Sequence, residues 1–168
     1  GCKVYILELN EQRIKYLQNR YDEKNVEVII STTENLEKYI QLADVFISTI
    51  LIPGAKPPKI VKEYMVKTMK QGSVIIDIAI DQGGTVETIT SPTTHQDPTF
   101  EKYGVIHYAV PNMPGATPRT STIALSKGNI SYLIDIAEKG LENAIKNDEN
   151  LAGGISIYKG SVTQKGIS

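Results

Sequence analysis

Two acidic residues, Glu8 and Asp81, stand where carboxylates commonly bind nucleotides or take part in a reaction. Glu8 ends the short apolar run Val4–Leu7. At the end of a strand in a nucleotide-binding sheet, an acid accepts hydrogen bonds from adenosine ribose hydroxyls and repels a 2′-phosphate, which favours NAD over NADP. The alternative is an acid that only interacts with the dipole of the next helix. Arg13 weakens the NAD preference, because a nearby guanidinium would accept a 2′-phosphate.

Asp81 follows a second apolar run and precedes Gly83 and Gly84. Taken alone, this pattern is typical of an aspartate in a turn. At the carboxyl end of a parallel strand, however, the same residue would face a bound ligand. The local sequence leaves both interpretations open.

Other reactive side chains give weaker signals. The two histidines, His95 and His107, and the single cysteine, Cys2, are widely separated, so we expect no metal site. One cysteine excludes an internal disulfide. Lys56, in the proline-glycine loop 53–57, would reach a phosphate or carboxylate, but an exposed lysine explains it equally well.

Apolar runs alternate with amphipathic segments along the first half of the chain. The predicted strands are 4–7, 26–31, 43–48 and 74–80. Helices are expected after the caps Asn10 and Thr32 or Thr33, and from Pro58 to Gly72. Nearly continuous apolar strands separated by helices predict an α/β fold with a doubly wound, Rossmann-type parallel sheet.

The second half is less regular. Residues 81–118 are rich in glycine and proline around one strand, 105–110, and such a long loop is typical of a functional segment. Helices are predicted over 120–125 and 130–145, followed by a hairpin arm over 155–158 and a glycine-containing tail that includes Gly166.

The composition limits the classes of function. The chain has 168 residues, 40% of them hydrophobic and 22% charged, with a net charge of −1. This balance is typical of a globular protein and argues against nucleic acid or an anionic membrane as partner. No apolar stretch approaches the ~20 residues of a bilayer span. The single cysteine suits a reducing compartment, so we expect a cytoplasmic protein.

Several motifs together closely resemble the alanine dehydrogenase family, in order and over essentially the whole chain. They are ILIPGAKPP at 50–58, DIAIDQGG at 77–84, SPTTH at 91–95, NMPGA at 112–116 and PRTST at 118–122. The resemblance implies NAD-dependent oxidation of L-alanine to pyruvate and ammonia by a homo-hexamer.

The resemblance also assigns site residues. It implies that Asp81 is catalytic and that the family's other substrate-contacting residues, a histidine and a lysine, lie outside this chain. Glu8 replaces the ribose-binding aspartate that is usual in the family. The adenosine side of the cofactor is implied for Arg13, Ser31, Ile50 and Leu51, and the nicotinamide side for Ile78, Asp81, Val110, Asn112 and Met113.

In Rossmann sheets a first strand and a G-x-G-x-x-G turn precede the strand that ends in the acid. Neither is present, so we expect an incomplete sheet without its first strand and an isolated chain that is inactive. Residues 1–115 would form a partial NAD-binding domain, and 116–168 helices that return to a substrate domain.

Two other functions are compatible with such a fold. One is the NAD-binding part of a proton-translocating transhydrogenase, a family that usually lacks an aspartate matching Asp81. The other is a non-catalytic, redox-sensing nucleotide-binding module, which would need a regulatory or DNA-binding segment, and no basic patch indicates one.

Overall fold

The computed structural model describes residues 1–21, 24–52 and 55–163. The chain divides into two compact units. The first contains the described residues of 1–50 and 58–111, and the second those of 51–57 and 112–168. Of the predicted features, Pro53, Gly54 and Gly166 lie outside the described residues.

The first unit begins with alternating strands and helices, as predicted. They are β1 (Val4–Glu8), α1 (Glu11–Arg20), β2 (Val26–Ile30), α2 (Thr33–Ile40) and β3 (Val45–Ser48). Both helices begin at the predicted polar caps. The Asn10 side chain accepts the N–H of Arg13 at 3.0 Å, and the Thr32 hydroxyl accepts the N–H of Asn35 at 3.1 Å. These bonds satisfy N–H groups that the first helical turn leaves unpaired.

The unit continues with shorter elements. They are α3 (Glu63–Val66), β4 (Val74–Asp77), a 3₁₀ helix (Ile78–Gln82), β5 (Thr99–Lys102) and β6 (Val105–Tyr108). Two sequence predictions were wrong here, and one strand was missed. A helix was expected from Pro58, but residues 58–62 have an extended backbone, because Val61 forms a parallel bridge with Val86. The fourth strand ends at Asp77 rather than at residue 80, and β5 was not predicted.

The strands form two sheets in this unit. β1 pairs with β2 in parallel, while the other four strands have the order β3-β4-β6-β5. The pairs β3-β4 and β4-β6 are parallel, as expected, whereas β5 and β6 form an antiparallel hairpin. Val45 and Ile47 of β3 remain 54% and 53% exposed despite their apolar character. In a doubly wound sheet a further strand separates the strands that correspond to β1 and β3.

The core of the unit lies between the four-stranded sheet and the helices. Its apolar side chains are Leu36, Ile40, Val61, Met65, Val66, Met69, Ile75, Ile80, Val86, Ile89, Val105 and Ala109. Residues from α2, from the segment around α3, from β4 and from the loop after it all contribute. The loop that carries Asp81 is therefore attached to the core at both ends, through Ile80 and Val86.

The second unit is mainly helical. Its elements are a 3₁₀ helix (Met113–Ala116), α4 (Pro118–Lys139), α5 (Leu141–Asn147), α6 (Glu149–Gly153), β7 (Ile157–Tyr158) and β8 (Ser161–Val162). The two predicted helices are present, but the break between them was misplaced: α4 is continuous across residue 128, and the break comes at Gly140, whose φ is 72°. Of the predicted hairpin arm 155–158, residues 157–158 form β7, which pairs antiparallel with β8. Among the described helices, none combines the length and apolar character required to cross a bilayer.

Candidate functional site

Glu8 is the last residue of β1, and the backbone that follows it holds its carboxylate. Oε1 accepts the N–H of Leu9 at 2.7 Å and that of Asn10 at 3.0 Å. The Glu8 carbonyl oxygen accepts the N–H of Ser31 at 2.8 Å, so two predicted site residues lie side by side at the ends of β1 and β2. Because two donors already use Oε1, a ligand would be bound through Oε2.

An open groove lies beside Glu8. It is lined by Glu8, Asn10, Gln12, Arg13 and Tyr16. The guanidinium carbon of Arg13 lies 4.8 Å from the centroid of the Tyr16 ring, the geometry of a cation–π contact. The groove thus presents a carboxylate, a guanidinium and two side-chain amides, groups that suit the hydroxyls and ring nitrogens of a nucleoside.

Asp81 lies on the 3₁₀ helix that follows β4, at the end of the strand where doubly wound proteins bind ligands. Asp81 and Ile78 are exposed, while Ala79 and Ile80 between them are buried. Gly83, with a φ of 110°, caps the helix, a conformation that side chains disfavour. Asp81 is therefore in a turn and also accessible at the ligand edge, so the two interpretations of this residue are compatible.

A buried polar cluster lies beneath the Asp81 loop. Asp77 is fully buried and accepts the N–H groups of Ala79 at 3.1 Å, Thr85 at 2.6 Å and Val86 at 3.2 Å. The Thr85 hydroxyl donates to Ser48 Oγ at 2.6 Å. Backbone donors thus compensate a carboxylate that burial would otherwise strongly destabilise.

The segment between β3 and α3 also binds the loop that carries Asp81. Lys59 Nζ donates to the carbonyl oxygens of Gly83 at 2.8 Å and Val86 at 3.2 Å. Lys62 forms an ion pair with Glu87 at 2.8 Å, and the N–H of Glu63 donates to the same carboxylate at 3.0 Å. The hydrogen bond from Lys62, followed by that from Glu63, lowers the pKa of Glu87.

Sequence reasoning did not assign any role to Asp77, Thr85, Ser48 or Lys59. One signal was available for Asp77: an acid inside a run of isoleucines must find compensating donors if the run is buried. Its donors, however, come from residues up to Val86, and no sequence pattern predicts that approach.

The two histidines differ in environment. His95 is exposed, whereas His107 is fully buried on β6. Its Nε2 lies 2.8 Å from the Thr88 hydroxyl and its Nδ1 2.9 Å from the Val105 carbonyl oxygen, and the ring stacks on Phe100. Burial, aided by the positive charge of Lys102, lowers the pKa of His107. Both ring nitrogens are thus paired, which makes His107 a structural residue.

The remaining predicted residues are divided between the two units. Ile50 and Val110 belong to the first unit, where Val110 is almost fully buried. Leu51, Asn112 and Met113 belong to the second unit, in which Leu51 is exposed. Asn112 has a φ of 53° where the 3₁₀ helix begins. Within the described ranges, no group of three or more His, Cys, Asp and Glu side chains is arranged to hold a metal ion.

Parallel strand pairs covered by helices, with polar side chains after β1 and β4, define a doubly wound α/β domain of the Rossmann type. Comparison with known proteins then identifies the family. The profile of the alanine dehydrogenase/PNT C-terminal domain matches residues 1–165, and the chain belongs to that family.

Curated and solved relatives agree with this assignment. Alanine dehydrogenase 1 of Staphylococcus aureus strain MSSA476 is 64% identical over 168 residues, which cover 100% of this chain and 45% of that protein. A solved L-alanine dehydrogenase superimposes with a TM-score of 0.82 at 39% identity, over 99% of this chain and 45% of that one. The chain thus spans about half the length of the relatives it matches.

A transhydrogenase structure from Sinorhizobium meliloti is more distant. Its TM-score is 0.62 at 20% identity, over 98% of this chain and 50% of that chain. This similarity shows a shared fold and nothing beyond it.

Proposed function

We propose that the natural polypeptide containing this chain oxidises L-alanine to pyruvate and ammonia, with NAD as hydride acceptor. The observation that carries the proposal is an accessible aspartate, Asp81, on a firmly attached loop at the ligand edge of the sheet, in a chain 64% identical to an alanine dehydrogenase. The more distant transhydrogenase supports the fold alone, so we do not propose its activity.

The groove beside Glu8 fits the adenosine end of NAD. A carboxylate whose Oε1 is already bound to backbone N–H groups offers Oε2 to the ribose hydroxyls. Its negative charge would repel the 2′-phosphate of NADP. We propose that Arg13, Ser31, Ile50 and Leu51 line this side of the cofactor, and that Ile78, Val110, Asn112 and Met113 lie near the nicotinamide.

NAD, when bound, would accept the hydride that leaves the α-carbon of alanine. We propose that Asp81 acts on the substrate side of this step. As the C–H bond breaks, positive charge develops on the substrate nitrogen, and a nearby carboxylate stabilises it. The same carboxylate would orient the water that hydrolyses the resulting iminium to pyruvate and ammonia, and the proton of this water would pass to the substrate-contacting histidine that the family places outside this chain.

The organisation of the whole protein is also a proposal. We propose that residues 1–115 form part of the NAD-binding domain and that 116–168 return to a substrate domain, within a cytoplasmic homo-hexamer. The apolar side chains that α4 leaves exposed, Ile123, Leu125, Ile130 and Leu133, support further packing partners for the second unit. Light scattering on the full-length protein measures its oligomeric state directly.

Steady-state kinetics test the reaction. The polypeptide, expressed at its full natural length, should form NADH from NAD only when L-alanine is added. Asp81→Asn should lower kcat roughly 100-fold or more, as losses of transition-state electrostatic stabilisation do. Asp97→Asn, at another exposed aspartate of the same unit, is the matched control and should retain kcat. Equal kcat values for the two variants would remove Asp81 from the mechanism, and NADPH-linked hydride exchange without alanine oxidation would indicate a transhydrogenase.

A further inference from the structure

The loop that carries Asp81 begins and ends at a single carboxylate. On the side where the chain leaves β4, the N–H of Ala79 donates to Asp77 Oδ1 at 3.1 Å. On the returning side, the N–H groups of Thr85 and Val86 donate to Oδ2 at 2.6 and 3.2 Å. Asp77 is fully buried, so solvent does not compete for these bonds.

Thr85 connects this attachment to a second strand. Its hydroxyl donates to Ser48 Oγ at 2.6 Å, and Ser48 is the β3 residue directly paired with Asp77 of β4. The returning end of the loop is therefore fixed to the ends of two neighbouring parallel strands. Such fixation holds a side chain at the middle of the loop in one place.

Gly84 shows how closely the loop approaches this carboxylate. A Cβ atom added at Gly84 would lie 2.8 Å from Asp77 Oδ2, 3.2 Å from Ile80 Cδ1 and 3.4 Å from Lys59 Nζ. Only glycine fits without displacing the carboxylate or the loop. Of the glycine pair after Asp81, Gly83 thus allows the turn and Gly84 allows the close approach to Asp77.

We infer that Asp77 is a positioning residue, whose buried carboxylate sets the place of Asp81 for the reaction through the backbone of residues 78–86. The inference rests on the proposed function for the role of Asp81, while the attachment of the loop is independent of it. Misplacing a catalytic group by about 1 Å can lower a rate roughly 100-fold. Asp77 touches no reacting atom itself, so it acts only through the loop.

Two variants test the inference in the polypeptide at its full natural length. In Asp77→Asn, the amide presents an oxygen to only one of the two sets of N–H groups, and its NH₂ group opposes the other. In Gly84→Ala, the added methyl group displaces the same carboxylate from the loop side. We expect each variant to lower kcat about 10- to 100-fold and to raise the KM for NAD by a smaller factor, because the displaced segment contains Ile78 but not the groove at Glu8. The groove at Glu8 belongs to the other sheet and is left intact.

Each variant has a matched control. Gly72 has a φ of 76°, against 71° for Gly84, but nothing lies within 4 Å of its added Cβ, so Gly72→Ala reproduces the backbone strain alone. Ser73 is a buried polar residue just before β4, at the end of the strand away from the loop, where its hydroxyl donates to the Lys70 carbonyl at 2.7 Å. Ser73→Ala therefore removes a buried hydrogen bond without touching the loop. Both controls should retain kcat even where they lower Tm.

Amide hydrogen exchange provides a readout besides activity. Exchange over residues 78–86 should be about 10-fold or more faster in Asp77→Asn and Gly84→Ala than in the wild type or the controls. If Asp77→Asn fails to fold, Gly84→Ala against Gly72→Ala decides the question. Unchanged exchange in this segment, or a loss of kcat no larger than in the controls, would overturn the inference. If the wild type does not oxidise alanine but the variants still show the faster exchange, the proposed function is refuted while the attachment of the loop to Asp77 is supported.

Discussion

Replacing Glu8 by glutamine tests the nucleotide end of the site with a minimal change of shape. In the wild type, Oε1 accepts the N–H groups of Leu9 and Asn10 at 2.7 and 3.0 Å. The glutamine amide should place its oxygen at the same position, because its NH₂ group has no acceptor there. The NH₂ group then occupies the position of Oε2, so an acceptor for the ribose hydroxyls becomes a donor.

The expected effect follows from the bond that is lost. A hydrogen bond to a charged acceptor contributes roughly 1.5–3 kcal/mol, which corresponds to an increase of about 10- to 150-fold in the KM for NAD. Loss of the negative charge also removes the repulsion of a 2′-phosphate, so the KM for NADP should fall or stay unchanged. The value of kcat should change little, because Asp81 lies on the 3₁₀ helix after β4, a strand of the other sheet.

Initial rates at varied NAD and NADP, with saturating L-alanine, measure these effects in the full-length polypeptide. Glu11→Gln is the matched control, since it removes the same charge from the first turn of α1 but not from the end of β1. A KM for NAD within about twofold of the wild type in Glu8→Gln would refute the reasoning. An equal rise in both variants would attribute the effect to the helix dipole instead.

Four further predictions concern stability and association. Ile75→Ala should lower the free energy of unfolding by about 2–5 kcal/mol in urea titrations, since Ile75 is fully buried in the core. The lowered pKa of His107 means that the unfolded chain binds a proton more readily than the folded one. Folding stability should therefore decrease as pH falls from about 6.5 towards the folded-state pKa, and urea titrations across that pH range measure this decrease. Thr88→Val should lower folding stability even above about pH 6.5, because it leaves Nε2 of His107 unpaired. Ile47→Lys should reduce self-association of the isolated chain in sedimentation experiments, because Ile47 is 53% exposed on β3, the edge strand of its sheet, whereas Ile75→Ala should not.

The elements that were predicted well carry their signal locally. Runs rich in β-branched residues such as Val26–Ile30 form parallel strands, and the polar residues Asn10 and Thr32 cap the helices that follow strands. A capping side chain hydrogen-bonds to the backbone three residues away, so the same short stretch of sequence contains both partners. For the same reason the sequence alone places Glu8 at the end of a strand.

The errors arose where distant backbone decided the conformation. Ile60 and Val61 fit an amphipathic helix, but Val61 hydrogen-bonds across to Thr85 and Glu87, which keeps the segment extended. β5 is a different case, because its partner β6 follows after a two-residue turn; Tyr103 has a φ of 59° there, a conformation that a tyrosine rarely adopts, so the sequence carries no clear turn signal. Periodicity describes one face of one segment and gives no information about a partner 25 residues away.

The two aspartates of the DIAIDQGG segment show how this limit affects the site. In one extended strand, residues 77 and 81 would lie on the same face, because side chains alternate with a period of two. The two environments are instead opposite: Asp77 is fully buried and Asp81 is exposed. The strand ends at Asp77 because its own side chain accepts the N–H of Ala79 and so begins the 3₁₀ helix. Asp77, which starts the turn, thus also accepts the N–H groups of Thr85 and Val86 at the returning end of the loop. A conservative change at position 77 should therefore displace Asp81, although of these two aspartates only Asp81 is accessible to a substrate.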